Sequence, residues 1–251
     1  MKQYLFIIRE LTLRELRRKY ARSALGILWS VLNPLLSMAV LSLIFSGMFR
    51  RAIAHYPIYY LCGYLIWQMF TGATTSAISV FADNRALFLK AQLPPELFLI
   101  ARVMTAFVNL LFSLIAFVAM LVVFGIPFHA GMGMSVIVFI LLLGFALGLS
   151  YLLASAYVHF GDVRHLYTVV LTLWMYCSAI FYPITQLQGP ARALVAFNPL
   201  YGYIEAFRII ILEQALPSGA LLARLLFWSL ASLAAGRICY ARLRGSLMQR
   251  L

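Results

Sequence analysis

The chain has 251 residues, of which 64% are hydrophobic and 11% charged, with a mean hydropathy of +0.94 and a net charge of +13. A soluble domain is roughly 45–50% apolar and about 25% charged, so this composition excludes one and is that of a polytopic membrane protein. In that class the excess of Lys and Arg reads as a topology signal and an attraction for anionic lipid, not as a nucleic-acid footprint.

Residues 1 to 22 carry seven basic and two acidic side chains. Leu13, Leu16 and Tyr20 fall at i, i+3 and i+7, on one helical stripe. The segment reads as a helix lying in the cytoplasmic headgroup layer, with a solvated basic tail as the alternative. Its first apolar stretch is only five residues long, too short for a signal-peptide core. The basic block Arg14, Arg17, Arg18, Lys19 and Arg22 then passes straight into an apolar run with no loop expected between them.

That run, residues 24–49, is the first predicted span, and Asn33-Pro34 inside it predicts a bend. A second span is predicted over 58–81, rich in aromatics at its start. Residues 82 to 102 then break the hydrophobicity. Asp83 reads as a helix N-cap and Pro94-Pro95 as a stop, so a short amphipathic helix is predicted over 83–92, outside the bilayer. Leu87 and Phe88 on its apolar face need something to be buried against. The uncharged stretch 103–161 is cut by Gly125, Pro127, Gly131 and Gly133 into spans at 103–124 and 135–158.

A fifth span is predicted over 166–182. Residues 184–219 carry Arg192, Glu205, Arg208 and Glu213 among apolar residues, too many charges for a span. They read as two short helices that dip into the outer interface, with Glu205 and Arg208 paired at i and i+3. The last span is predicted over 221–240. The expected fold class is therefore all-α, one transmembrane domain over 1–251 with six spans. With both termini cytoplasmic, 15 basic residues lie inside and five outside, which sets the orientation.

Little here supports chemistry in the chain. The seven acidic residues make no metal pair with histidine, and neither a nucleophile elbow nor a phosphate-binding loop occurs. Cys62, Cys177 and Cys239 lie far apart in apolar runs and read as small buried hydrophobes. All six spans lack the deep acid or histidine that a proton-coupled carrier needs. What remains is a non-catalytic conduit or scaffold, driven from outside itself.

Residues 18–35, with Arg18-Lys19-Tyr20 and Leu25-Gly26-Ile27-Leu28-Trp29-Ser30-Val31-Leu32-Asn33-Pro34-Leu35, resemble the membrane-entering segment of the permease subunits of bacterial polysaccharide ABC exporters. Tyr56-Pro57-Ile58-Tyr59-Tyr60-Leu61 with Gly63 and Trp67 is similar to that family's second-span opening. Asn84, Leu87-Phe88-Leu89-Lys90 and Leu93-Pro94 resemble its coupling helix. Asn198-Pro199-Leu200 with Phe207-Arg208 resembles the segment before its last span. The likeness covers nearly the whole chain.

The resemblance implies a homodimer in the bacterial inner membrane, working with two ATP-binding cassette subunits that bind ATP and Mg; this chain would hold no cofactor and no metal. The implied substrate is a lipid-linked glycan such as O-antigen or capsular polysaccharide. Teichoic acid, a drug or a small lipid remain alternatives, as does an integral-membrane enzyme of glycan metabolism. Asp83, Asn84, Arg85, Leu87, Phe88 and Lys90 become candidates for coupling to the ATPase. Tyr59, Tyr60, Trp67, Phe70, Trp174, Tyr176, Phe181 and Tyr182 become candidates for lining the glycan path, against a packing or membrane-belt role. Arg14, Arg17, Arg18, Lys19 and Arg22 become candidates for a phosphate headgroup, against a plain orientation signal. Two departures stand out. The family's Phe-Arg-Asp reads Phe160-Gly161-Asp162, with an arginine only at Arg164. Its Ser/Thr-Pro-Ile reads Ser178-Ala179-Ile180, which predicts a less kinked fifth helix.

Overall fold

The structure is a computed structural model that describes residues 2–21, 23–49, 53–85, 87 and 93–250. Its regular elements are all helical. In chain order they are α1 (Lys2–Tyr20), α2 (Leu28–Phe49), α3 (Tyr56–Ala77), α4 (Val80–Asp83), α5 (Pro95–Val123), α6 (Met134–His159), α7 (Val163–Tyr176), α8 (Gly189–Phe197), α9 (Pro199–Leu212) and α10 (Gly219–Arg250). Short 3-10 turns lie at Ala130–Gly133 and Ile184–Gln186. Among the described residues, four helices are by length and composition long and apolar enough to cross a membrane: Leu28–Met48, Pro95–Val123, Ala130–His159 and Gly219–Gly245. A fifth span results if α8 and α9, which meet at 81°, are counted as one. The protein is a multi-pass membrane protein.

The predicted count of six was built on α3 and α7 as well, and each departs for a physical reason. α3 carries Gln68, Thr71, Thr74, Thr75 and Ser76, which lower its hydropathy. Yet 13 of its 22 residues are buried, because α2, α5, α6 and α9 all pack against it. A helix wrapped by protein has less need of an apolar surface than one facing lipid. α7 has only 14 residues, about 21 Å of rise against a hydrocarbon core of roughly 30 Å. It stops at Tyr176, six residues short of the predicted end.

Two junctions also differ from expectation. The basic block does not run straight into the apolar helix: residues 23–27 form a turn, with Gly26 at a φ of +49° and its N–H donated to Ser23 Oγ. That left-handed backbone is open to glycine at no steric cost. Pro94-Pro95, expected only to stop a helix, also starts one. Pro95 is at the first position of α5, where a missing N–H costs nothing, and α5 therefore begins eight residues before the predicted 103. At 29 residues it rises about 44 Å, longer than the core is thick. α2 continues through Pro34.

α6 and α10 form the tightest pair. A β-carbon placed on Gly148 would land on the backbone of Ser232 and Leu233, and one on Gly236 on the carbonyl of Gly148. Ser232 Oγ donates to the Phe145 carbonyl at 2.9 Å. Small residues that let two backbones touch replace the hydrophobic effect as the source of helix association in lipid. The main core runs from Tyr60, Leu65, Ile66 and Phe70 of α3 to Leu142 and Phe145 of α6 and Tyr203 and Phe207 of α9. A second core gathers Leu11, Val80, Phe81, Leu97, Phe98, Tyr151 and Tyr240 at the end of the bundle where α1 and α4 sit. α2 turns Val40, Leu43 and Ile44 outward, with Leu43 86% exposed, a surface suited to lipid or to another chain.

Candidate functional site

The chain end of α7 is held open by a single buried cation. Arg208, on α9, is 7% exposed. Its Nη1 donates to the Ala179 carbonyl at 2.9 Å and its Nη2 to the Ile180 carbonyl at 2.9 Å. Nη1 also donates to Tyr59 Oη at 2.8 Å, and Nε to the Tyr59 carbonyl at 3.2 Å. The guanidinium carbon stands 3.4 Å from the centre of the Tyr59 ring. The planar fork of arginine suits this combination of stacking and divergent donation.

The carbonyls it takes are those freed where α7 ends. Ala179 has a φ of +48°, which a residue with a β-carbon adopts only when its surroundings hold it there. The loss of the family's proline therefore does not give a less kinked fifth helix. The helix breaks outright, and distant side chains satisfy the backbone that the break exposes. The predicted Glu205–Arg208 pair is not formed either. Glu205 binds Arg224 at 3.3 Å and accepts from Tyr201 Oη at 3.3 Å.

Asn198 completes this arrangement. It caps α9, accepting from Leu200 N–H at 3.0 Å, with Pro199 at the first helical position. The same Oδ1 accepts from Trp174 Nε1 at 2.8 Å, and Nδ2 donates to the Cys177 carbonyl at 2.8 Å and to Ser178 Oγ at 3.0 Å. One amide thus fixes the α8–α9 corner to the end of α7. Beside it, Tyr56 and Tyr59 donate to the carbonyls of Phe181 and Tyr182. A cavity of about 540 Å³ opens here, walled by His55, Tyr59, Tyr201, Glu205, Arg208 and Glu213 among others.

The eight aromatic candidates fall into distinct places. Tyr60 and Phe70 have essentially no free surface: Tyr60 lies against Tyr64 and Phe181, and Phe70 against Phe145 and Trp174. Their rings pack the core of the protomer. Tyr59 carries Arg208 on one face. Trp67, Trp174, Phe181 and Tyr182 are half-buried, and Tyr182 donates to the Tyr176 carbonyl. Tyr176, 57% exposed, is the one of the eight with a largely open ring.

The other end of α3 holds the charged candidates. The buried stripe of α1 is Leu11, Thr12 and Glu15; Leu13, Leu16 and Tyr20 lie beside it, half-buried. Arg17, Arg18 and Lys19 are exposed, whereas Arg14 is engaged with Glu15 at 3.0 Å and with Asn84 Oδ1 at 2.9 Å. Arg18 and Lys19 stand in the wall of a cavity of about 490 Å³ with Glu15, Thr75, Ser76, Asp83, Arg102 and Asn109. Arg22 lies outside the described residues. Of the coupling candidates, Phe88 and Lys90 also lie outside them, as does most of the predicted helix 83–92. Arg85 and Leu87 are exposed and Asn84 is buried. Asp83 closes α4 instead of opening a helix, and its carboxylate accepts from Ser79 Oγ at 3.0 Å and Arg102 Nη2 at 3.3 Å.

Arg208, Arg102 and Arg164 were not among the candidate residues. For Arg208 the available signal was a lone cation in an apolar stretch.

The family model for ABC-2 type transporters matches residues 7–212. Over 243 residues the chain is 30% identical to the O-antigen export system permease protein RfbA of Myxococcus xanthus, covering 92% of each. It is 26% identical over 215 residues to a protein of that name from Klebsiella pneumoniae, covering 85% of this chain and 83% of the relative. To the polysialic acid transport protein KpsM of Escherichia coli it is 22% identical over 240 residues, 93% of this chain and 92% of the relative. The chain belongs to the ABC-2 type transporter family.

Proposed function

We propose that this chain is the membrane-spanning subunit of an ATP-driven exporter that carries a lipid-linked polysaccharide, O-antigen or capsular, outward across the bacterial inner membrane. The observation that carries this reading is the end-to-end likeness to permeases named for O-antigen export and to a protein named for polysialic acid transport, covering about nine-tenths of both partners in the case of RfbA from Myxococcus xanthus. Two copies form the path. ATP and Mg bind to a pair of separate ATPase subunits, and this chain performs no hydrolysis.

In this reading α3 and α7 complete a set of six spans with α2, α5, α6 and α10, and both termini are cytoplasmic. The short α7 is extended across the outer leaflet by residues 177–182. α8 and α9 enter the outer interface and return, as their 81° corner allows. The segment following α4 docks on the ATPase through Leu87 and Phe88. Arg17, Arg18 and Lys19, exposed on α1, receive the phosphate headgroup of the lipid anchor. Tyr176 and the half-buried aromatics near it offer sugar rings a face to stack on.

The test is genetic and chemical. Deletion of the gene in its host should leave completed polysaccharide attached to its lipid inside the cell and strip it from the surface, and re-expression should restore it. Unchanged surface polysaccharide in the deletion strain would overturn the proposal.

A further inference from the structure

Five side chains and one peptide bond close a ring at the base of α1, α4 and α5. Asp83 Oδ2 accepts from Arg102 Nη2 at 3.3 Å. Arg102 Nη1 reaches Glu15 Oε2 at 3.2 Å, and Glu15 Oε1 binds Arg14 Nη2 at 3.0 Å. Arg14 Nη2 then donates to Asn84 Oδ1 at 2.9 Å, and Asn84 follows Asp83 in the chain. A spur leaves the ring: Ser79 Oγ donates to Asp83 Oδ2 and accepts from Arg164 Nη2, each at 3.0 Å. Arg164 belongs to the first turn of α7. It lies one turn past the position where an arginine was expected, and it stacks over Tyr157. The ring thus joins α1, α4 and α5, and the spur adds α7.

Its position gives it a task. Asn84 lies immediately before Arg85, and its own carbonyl accepts from Leu87 N–H at 2.9 Å. Asp83 and Asn84, just before Arg85, are fastened to the bundle through this ring, and Val80 and Phe81 through packing in the second core. The two attachments differ in stiffness. Hydrophobic contact is non-directional. A charge pair at 3.0–3.3 Å leaves contact range after a shift of about 1 Å. Glu15 is 7% exposed and its carboxylate binds both guanidinium groups, so separating it from them would strand a buried charge. A displacement applied at Arg85 therefore either carries α1 and α5 with it or breaks the ring.

We infer that the Asp83–Arg102–Glu15–Arg14–Asn84 ring, with the Ser79–Arg164 spur, is the rigid link that turns movement of the segment after α4 into movement of α1, α5 and α7. Arg102, Glu15 and Arg164 are positioning residues: they transmit a displacement and touch no substrate. This rests on the proposed docking of that segment on an ATPase.

The experiment uses the full chain co-expressed with its ATPase, in its host and as the purified complex in lipid. Three quantities are read: ATPase retained on affinity purification, ATP hydrolysed, and polysaccharide exported per ATP. Arg102→Gln should keep the ATPase bound and hydrolysis within about twofold of wild type, while export per ATP falls tenfold or more. Arg102→Lys, which keeps a cation between Glu15 and Asp83, should retain at least a third of it. Leu87→Asp reports on docking separately, by loss of the ATPase from the complex. If it keeps its ATPase, the docking reading falls and the ring loses its driver. If docking holds and Arg102→Gln exports at the wild-type ratio, or Arg102→Lys loses as much as Arg102→Gln, the ring is not the link. Should Arg102→Gln fail to insert, Arg164→Gln, at the exposed end of the spur, carries the same test. A threefold fall in export per ATP supports the link, and no change overturns it.

Discussion

Replacing Arg208 should separate its charge from its hydrogen bonds, and the order of harm is the informative result. Arg208→Met removes the donors to Ala179 and Ile180. Two stranded buried carbonyls cost about 1–3 kcal/mol each, roughly 2–6 kcal/mol together. Against that, the variant no longer keeps a cation out of water, a penalty of several kcal/mol in the wild type. The two terms oppose, so the net loss should be about 2 kcal/mol or less. Arg208→Lys keeps the ion but has one compact donor head in place of the fork. It cannot stack on Tyr59 and reach Ala179, Ile180 and the phenol together. It keeps the penalty and loses most of the compensation, a loss of about 3–5 kcal/mol on the scale of a broken buried pair. At about 2–4 °C per kcal/mol for a chain this size, the lysine variant should melt roughly 6–20 °C lower. Cys177 lies in the turn itself and is partly exposed. With Cys239→Ser as background and Cys62 fully buried, maleimide labelling reports on that turn. Both Arg208 variants should label faster than wild type. A lysine variant that melts and labels like wild type, or is milder than the methionine variant, would refute the account of a turn held by divergent donation.

Gly148→Leu should destroy the α6–α10 crossing, because its side chain meets the Ser232 and Leu233 backbone. The loss should exceed the roughly 1–3 kcal/mol of ordinary overpacking and appear as collapse of monodisperse yield. Gly47→Leu, at a position surrounded by open space, should express like wild type. Among the aromatics, Phe70→Ala should cost about 3–5 kcal/mol of stability, whereas Tyr176→Ala should leave the melting temperature unchanged and lower export. Equal effects of the two on stability would mean that their burial has been misjudged.

Where the sequence could be read, the reason was local. Apolar runs long enough to cross a bilayer marked α2, α5, α6 and α10, and Gly125 at a φ of +66° ends α5 just where the glycines began to cut the chain. Asn198-Pro199 announced a helix start, and α9 begins there. The apolar and aromatic residues of α3 predict a span, but its burial depends on four neighbours that no window of sequence contains. The basic block was legible as a block; its division into a structural Arg14 and exposed Arg17, Arg18 and Lys19 was not. That division is made by Glu15 and Asn84, one of them 70 residues away.

The end of α7 shows why this gap is systematic. Local propensity treats a missing proline as a reason for a straighter helix, since nothing in the segment 177–182 itself then opposes i→i−4 bonding. In lipid the question is different, because an open carbonyl has no water to turn to. A helix can stop inside the bundle only if partners for its carbonyls are delivered from elsewhere. Here Asn198 supplies one for Cys177, and Arg208 supplies those for Ala179 and Ile180. Tyr56 and Tyr59 supply those for Phe181 and Tyr182. The partners lie 21 to 125 residues away in the chain. The break is thus a property of α3, α7 and α9 together. A proline restored at position 179 tests this directly. Its φ of about −65° is incompatible with the +48° of Ala179, so Ala179→Pro should shift the turn and weaken the Arg208 contacts. The labelling rate of Cys177 measures that shift, and a rate equal to wild type would mean that the left-handed residue is not needed for the break.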